Sequence, residues 1–135
     1  MENINVPEGK LVTLHTDHKN YPMEFSMTIR PDGGFWKNGV FKFNFTIPRS
    51  YPVDQPDVSC ETKIYHPNID YQGHVCVRAL RPWKAYTIEF IMFDLLFLFS
   101  DPNPDDPLNI PVGELFRYCF LLNRTALLKD PTVCI

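Results

Sequence analysis

The sequence lacks an apolar run long enough to cross a membrane. Its longest apolar stretch, residues 90–99, is interrupted by Asp94 and is about half of the roughly 20 residues that a bilayer span requires. Residues 1–10 contain no charged start followed by an apolar run, so no secretory signal is predicted. We therefore expect no membrane partner and a location in the cytoplasm, the nucleus or both, with residues 90–99 as a candidate core helix.

An excess of one sign of charge is also missing. The 135 residues include 13 Lys and Arg against 16 Asp and Glu, which gives a formal net charge of −3. A general binder of nucleic acid or of anionic membrane surfaces carries a strong positive excess. The sequence therefore predicts no nucleic-acid partner.

Closely paired cysteines are absent. The four cysteines are Cys60, Cys76, Cys119 and Cys134, and no two of them form a Cys-x-x-Cys pair. In a reducing compartment a disulfide framework is not expected. Each thiol is therefore judged by its own surroundings.

The composition also lacks the marks of disorder. Disordered chains have few aromatic residues and a large net charge, whereas this chain is 14% aromatic and 44% hydrophobic. The 13 prolines indicate loops that are braced rather than unfolded. Because a chain of this length has room for one core, residues 1–135 are predicted to form a single domain.

Two segments alternate apolar and polar residues as half-buried strands do. They are Glu24 to Ile29 and Phe41 to Ile47, and their alternation has the two-residue period of a strand. Glycines and an asparagine between them supply turn residues. With Leu11 to His15 before them and Val58 to Thr62 after them, the sequence predicts a four-stranded antiparallel meander.

Two helices are predicted after the strands. Thr87 caps a helix that begins at Ile88 and ends at Ser100, because a proline follows two residues later. Its apolar sequence predicts burial on nearly all sides. A second helix starts near Pro111 and stops at residues 130–131, with an expected buried stripe of Leu115, Cys119, Leu122 and Ala126. Strands followed by helices indicate an α+β domain with the helices packed on one side of the sheet.

The stretch from Tyr65 to Tyr86 shows neither period, and its first part, to Leu80, concentrates polar groups around Cys76. One interpretation makes this cysteine a small buried hydrophobe. Another makes it a zinc ligand with His66 and His74, although the spacing differs from that of structural zinc sites. The third makes it a nucleophile, which His74 would approach if the segment were extended. The residues alone leave these three interpretations open.

Several blocks of the sequence resemble the signature of the ubiquitin-like-protein conjugating enzymes. They are YHPNID at residues 65–70, then Gly73, Cys76 and Trp83, and SDPNPDDPLN at residues 100–109. The resemblance runs from about Leu11 to Arg124 and implies the ubiquitin-conjugating-enzyme fold. The strings CETKIYHPNID and PDGGFWKNG are most similar to the neddylation branch, whose enzymes carry Nedd, also called Rub.

The activity implied by the resemblance is a two-step acyl transfer. Cys76 accepts the C-terminal glycine of the modifier from an activating enzyme as a thioester, and a substrate lysine then attacks that thioester. Thioester exchange needs little activation of a thiol, and neither a metal nor a cofactor is implied. The implied partners are Nedd or ubiquitin, the activating enzyme, a ligase, for instance of the RING type, and a lysine-bearing substrate.

Two other functions stay open beside conjugation of Nedd. The first is conjugation of ubiquitin by the same chemistry. The second is a non-catalytic binding module, like the variants of the family that hold a modifier or a partner without forming a thioester. Such variants characteristically lose the cysteine, so the presence of Cys76 favours the catalytic interpretation.

The resemblance also assigns site residues. Asn68 corresponds to the asparagine of the His-Pro-Asn motif, whose amide donates to an oxyanion; its structural alternative is to bond the loop backbone. Asp106 corresponds to an acidic residue that helps the lysine lose its proton; its alternative is a turn or cap carboxylate. A ligase-contacting surface is implied for Pro52, Val53, Trp83 and Ala85.

The sequence departs from the family at its start and in the loop after the thiol. Conjugating enzymes usually begin with an amphipathic helix of several turns, whereas only residues 1–10 precede the first predicted strand. We therefore expect the fold without that N-terminal helix. The loop LRPWKAYTI after the thiol is also shorter than in the family. Because Trp83 and Ala85 lie in this loop, the shortening weakens the assignment of the ligase-contacting surface.

Overall fold

A computed structural model of the chain describes residues 2–5, 11–17, 23–77, 80 and 82–122. Within these ranges the chain forms one antiparallel sheet followed by two helices. This arrangement confirms the predicted α+β class. Neither helix in these ranges is long and apolar enough to span a bilayer.

The sheet has five strands that follow one another in space as they do in sequence. They are β1 (Glu2–Asn5), β2 (Leu11–Asp17), β3 (Met23–Arg30), β4 (Phe41–Ile47) and β5 (Asp57–Cys60). The four predicted strands are β2 to β5, so the sheet has one strand more than predicted. Strand β1 reads ENIN and has a single apolar residue, so alternation could not reveal it; its main chain pairs with the edge of β2.

One face of the sheet forms the core. Met27 on β3 lies opposite Phe43 on β4, and both side chains are fully buried. Phe25 and Phe45, the next opposed pair, stack with their ring centroids 4.6 Å apart. The alternation of the two strands thus places large apolar side chains on the face that the helices cover.

The first helix, α1 (Ile88–Ser100), has the predicted bounds. The Thr87 hydroxyl accepts a hydrogen bond from the Phe90 N–H at 3.3 Å, which satisfies a donor of the first turn. The ring of Phe99 near its end packs on Phe41 and Phe43 of the sheet, at centroid distances of 5.2 and 6.1 Å. These contacts fix the helix on the core face.

The expectation that α1 is buried on nearly all sides is wrong. Ile91, Leu95, Leu96, Leu98 and Phe99 are buried, but Phe90, Phe93 and Phe97 are each about half exposed. Residues three and four apart share one face of a helix, so these three rings form a stripe that points away from the sheet. A single sheet covers only one side of the helix, and composition alone does not show this.

The second helix, α2 (Ile110–Leu122), begins where predicted. Its buried side chains include Val112, Phe116 and Cys119, whereas Leu115 is 51% exposed. The predicted stripe was therefore wrong at Leu115. Phe116 packs on the Trp36 ring at 5.5 Å, and that contact sets the rotation of the helix. The predicted Ala126 and the stop at residues 130–131 lie outside the described residues.

Candidate active site

The loop that carries Cys76 is held by main-chain hydrogen bonds to its neighbours. The Cys60 N–H at the end of β5 donates to the Gly73 carbonyl at 2.8 Å. The Cys76 N–H donates to the Asn68 carbonyl at 2.9 Å. The thiol therefore sits on a segment whose backbone is fixed by both the sheet and the His-Pro-Asn turn.

Gly73 occupies a position that other residues do not fit. Its φ is +88°, in the region that L side chains rarely adopt. A Cβ at this position would overlap the carbonyl oxygen of Cys60. The glycine thus permits the close approach of the loop to β5.

His66 anchors the same loop from inside the core. Its Nδ1 accepts the Asn68 N–H at 2.9 Å, so its Nε2 carries the proton and donates to the Leu98 carbonyl of α1 at 2.9 Å. The ring is fully buried and stacks on Trp36 at 4.4 Å. Burial lowers the pKa of His66 from 6.5 to about 4, although the bond to Leu98 opposes this shift. Both ring nitrogens are engaged, which does not favour the zinc interpretation.

The Asn68 side chain ties the loop to the segment before α2. Its Nδ2 donates to the carbonyls of Asn103 and Asp106 at 2.9 and 3.4 Å, and its Oδ1 accepts the Asn103 N–H at 2.9 Å. The side chain is almost fully buried. In this geometry the side chain bonds backbone groups, which is the alternative to a role as oxyanion donor. Donation from Nδ2 to an oxyanion would require one of these bonds to be exchanged.

The preceding residue adds a second tie to the same segment. The Pro67 carbonyl accepts the N–H groups of Leu108 and Asn109 at 2.8 and 3.0 Å. Asn109 Oδ1 in turn accepts the Val112 N–H in the first turn of α2 at 3.4 Å. The His-Pro-Asn turn is therefore bonded to the start of α2.

A cavity of about 120 Å³ brings the three predicted catalytic residues together. Cys76, Asn68 and Asp106 all line it. Cys76 is partly exposed and Asp106 is exposed, so a reacting group can reach both side chains. His74 does not line this cavity; its Nδ1 is bonded to Asp70 Oδ2 at 2.7 Å.

Two further carboxylates line the cavity and were missed by the sequence analysis. Asp94 on α1 and Asp101 just after it join Asp106 in the lining. Asp94 is the one charged residue inside an otherwise apolar stretch. A charged residue in that position was the signal that could have identified it.

The other described cysteines have different surroundings. Cys60 is buried, and its thiol donates to the Thr62 carbonyl at 3.1 Å. Burial raises the pKa of this thiol to about 11, which disfavours the nucleophilic thiolate. Cys119 is buried on α2, and Cys134 lies outside the described residues. Within the described ranges, Cys76 is the partly exposed cysteine that lines the cavity.

The residues of the predicted ligase-contacting surface lie in two loops that touch. The Trp83 indole N–H donates to the Pro52 carbonyl at 3.0 Å. Pro52 and Ala85 are exposed, and Val53 is 80% exposed. The structure therefore brings the two loops together with apolar side chains facing solvent, while Arg78, Ala79 and Arg81 lie outside the described residues.

Comparison with known proteins identifies the class to which this fold and cavity belong. Residues 3–119 match the family described as ubiquitin-conjugating enzyme. The chain belongs to that family.

Individual relatives narrow the similarity to one branch of the family. The chain is 47% identical over 121 residues to the Nedd8-conjugating enzyme UbcE2M of Drosophila melanogaster, covering 87% of this chain and 65% of that protein. It is 40% identical over 117 residues to the NEDD8-conjugating enzyme Ubc12 of Dictyostelium discoideum, covering 85% and 50%. The solved structure of S. cerevisiae Ubc12 matches with a TM-score of 0.76 at 35% identity, covering 86% and 64%.

These matches confirm the predicted similarity to the neddylation branch and the ubiquitin-conjugating fold. The chain spans about half to two thirds of the length of these relatives.

Proposed function

We propose that this chain is a conjugating enzyme that accepts Nedd as a thioester on Cys76 and passes it to a substrate lysine. The observation that carries this proposal is the cavity in which Cys76, Asn68 and Asp106 meet. Membership of the ubiquitin-conjugating enzyme family supports the same chemistry. A binding module that forms no thioester would not need an accessible cysteine in this cavity.

The first half-reaction is an exchange of thioesters. The Cys76 sulfur attacks the thioester carbonyl that joins the modifier to the activating enzyme. A new C–S bond forms at Cys76, the C–S bond to the activating enzyme breaks, and that enzyme leaves as a thiolate. Since a thiolate is both a good nucleophile and a good leaving group, this step asks little of the neighbouring residues.

The second half-reaction asks more of the site. The attacking lysine must lose a proton, because its reference pKa near 10.4 keeps it protonated at neutral pH. The Asp106 carboxylate at the cavity is the proposed acceptor of that proton or the group that orients the amine. The amine nitrogen then bonds to the carbonyl carbon, an oxyanion forms, and the Cys76 thiolate leaves. Asn68 contributes by holding residues 103–106 in place, and by donating to the oxyanion if its Nδ2 exchanges a partner.

Nedd is proposed as the modifier because the relatives described above are Nedd8-conjugating enzymes. Ubiquitin is the second candidate, since the family as a whole is described as ubiquitin-conjugating. The proposed partners are an activating enzyme, a lysine-bearing substrate and a ligase that contacts Pro52, Val53, Trp83 and Ala85. The proposed location is the cytoplasm, the nucleus or both.

The test is a charging assay with the full chain, a modifier, its activating enzyme and ATP. The parent should give a band of higher mass that a reducing agent abolishes. Cys76→Ser should give a band that resists the reducing agent, because an alkoxide leaves less readily than a thiolate. Cys119→Ala is the matched control and should charge like the parent. A thioester that survives in Cys76→Ala would refute the proposal.

A further inference from the structure

A second concavity, of about 440 Å³, lies beside helix α2. Among the described residues, its lining and that of the cavity around Cys76 have none in common. The rings of Phe35, Trp36, Phe41 and Phe116 form much of its wall. Its volume falls within the roughly 300–1,000 Å³ of typical ligand sites, so it can hold a large aromatic group.

The wall of this concavity is fixed before anything binds. Trp36 is 8% exposed, and its ring lies between His66 at 4.4 Å and Phe116 at 5.5 Å, stacked on both. Its indole N–H donates to the Tyr65 carbonyl at 3.0 Å. A preformed wall lowers the ordering cost of binding. Aromatic rings around the space also favour an aromatic occupant, through stacked and edge-to-face pairs.

The rim is apolar and carries a lysine. Tyr65 is 73% exposed and Leu115 is 51% exposed, and both line the concavity. These exposed side chains continue the apolar surface beyond the space itself, so residues on either side of an inserted side chain can lie against the rim. Within the part of the chain that the structure describes, Lys63 is the charged residue of the lining. Its ammonium group favours an occupant with carboxylates next to the inserted group.

We propose that this concavity is a docking site for a protein partner that inserts an aromatic side chain flanked by Asp or Glu residues. The inserted ring occupies the space lined by Phe41, Tyr65 and Leu115, and the flanking carboxylates face Lys63. Central aromatic anchors in preformed pockets commonly dominate the energy of such contacts. This surface is separate from the loops around Pro52 and Trp83 and is independent of thioester chemistry.

The test uses the two tryptophans as internal reporters. The full ¹⁵N-labelled chain is titrated with the peptide acetyl-Gly-Asp-Phe-Asp-Gly-amide, and the indole N–H signals are followed by NMR. The Trp36 signal should shift and saturate, because Trp36 lines the concavity and its N–H is bonded to Tyr65, another residue of the lining. The Trp83 signal should stay in place, because its N–H is bonded to Pro52 outside the concavity.

Sequence changes in the peptide and the chain test the two parts of the proposal. Replacing the peptide Phe by Ser should weaken binding by at least about tenfold. Lys63→Glu should weaken binding of the acidic peptide by about fivefold and should favour the peptide in which Lys replaces each Asp. Lys84→Glu, the same change at another exposed lysine, should alter neither preference.

Three results would each overturn the proposal. The first is a Trp36 signal that the acidic Phe peptide does not shift. The second is equal binding of the Phe and Ser peptides, or an unchanged charge preference in Lys63→Glu. The third is a Trp36 signal that depends on protein concentration in the absence of peptide, which would assign the concavity to a second copy of the chain.

Discussion

His66 shows how one buried side chain makes the loop of the candidate nucleophile sensitive to acid. A proton on Nδ1 would face the Asn68 N–H that this nitrogen accepts. Burial also disfavours the charged ring, so the folded His66 stays neutral and its pKa is lowered to about 4. At a pH between this value and the ordinary pKa of 6.5, His66 binds a proton in the unfolded chain but not in the folded chain.

The pH dependence of stability follows from that difference. The free energy of unfolding should fall as the pH drops from about 6.5 to about 4, by about 3 kcal/mol in total from this residue. Denaturant melts of the parent and of His66→Gln at several pH values measure it. The variant should be less stable throughout but should lose less stability over this range. Parallel curves for the two proteins would show that His66 does not carry the effect.

Asp106 is predicted to act in discharge and not in charging. Asp106→Asn should form thioester at the parental rate but should pass it to lysine about 10² to 10⁴ times more slowly, the usual contribution of acid or base assistance. Single-turnover discharge to free lysine measures the effect. The exposed Asp105→Asn is the matched control. If Asp106→Asn discharges at the parental rate, Asp106 does not assist lysine attack and only helps to form the turn.

Asn68 should affect both stability and discharge. In Asn68→Ala the Asn103 N–H and carbonyl lose their partners, which should cost about 1–3 kcal/mol. Thioester formation should persist in the folded fraction, and discharge should slow because residues 103–106 lose their anchor. Thermal melts run beside single-turnover assays separate the two effects. A stable variant with normal discharge would contradict both assignments.

At the scale of elements, both ends of α1 and the start of α2 were predictable, and the buried faces of the helices were only partly so. Thr87 and the proline after Ser100 are local signals, and α1 has the bounds that they predict. The exposure of its phenylalanine stripe depends on how many layers cover the helix, and the exposure of Leu115 depends on where Phe116 meets Trp36. Such contacts join residues far apart in sequence and leave no local pattern.

The contact between β5 and the loop that carries Cys76 depends on one glycine, Gly73. Gly73→Ala should lower the free energy of unfolding by more than about 2 kcal/mol, because it combines a left-handed φ with overlap on the Cys60 carbonyl. A Cβ on Gly33 would meet no other atom within 4 Å, so Gly33→Ala should change stability by less than about 0.5 kcal/mol. Chemical denaturation compares the two. Equal effects would show that the close approach at Gly73 is not required.

At the scale of the whole molecule, the candidate site joins parts of the chain that are distant in sequence. Asn68 and Asp106 are 38 residues apart, and no periodicity relates them. The resemblance to a family motif brought Cys76, Asn68 and Asp106 into one hypothesis, and the structure places all three on one cavity. Asp94 has no counterpart in the quoted motifs; its isolated charge in an apolar stretch was its one sequence signal, and the structure places it on the same cavity.

The proposed preference for Nedd over ubiquitin is tested on the full chain with each activating enzyme. We expect Nedd with its own activating enzyme to charge Cys76 faster than ubiquitin with the ubiquitin-activating enzyme, because specificity is a ratio of rates. Initial rates at matched concentrations of both systems measure this ratio. Cys76→Ala in each system shows the background. An equal or faster rate with ubiquitin would assign the chain to ubiquitin conjugation.

Two sets of hydrogen bonds connect the His-Pro-Asn turn, and with it the loop that carries Cys76, to both helices. His66 is bonded to Leu98 of α1, and Pro67 is bonded to Leu108 and Asn109, the two residues just before α2. The Asn68 carbonyl that accepts the Cys76 N–H thus belongs to a turn that is bonded to α1 and to the residues before α2. The amide hydrogen of Cys76 should therefore exchange with solvent as slowly as those of the core, although its thiol is accessible.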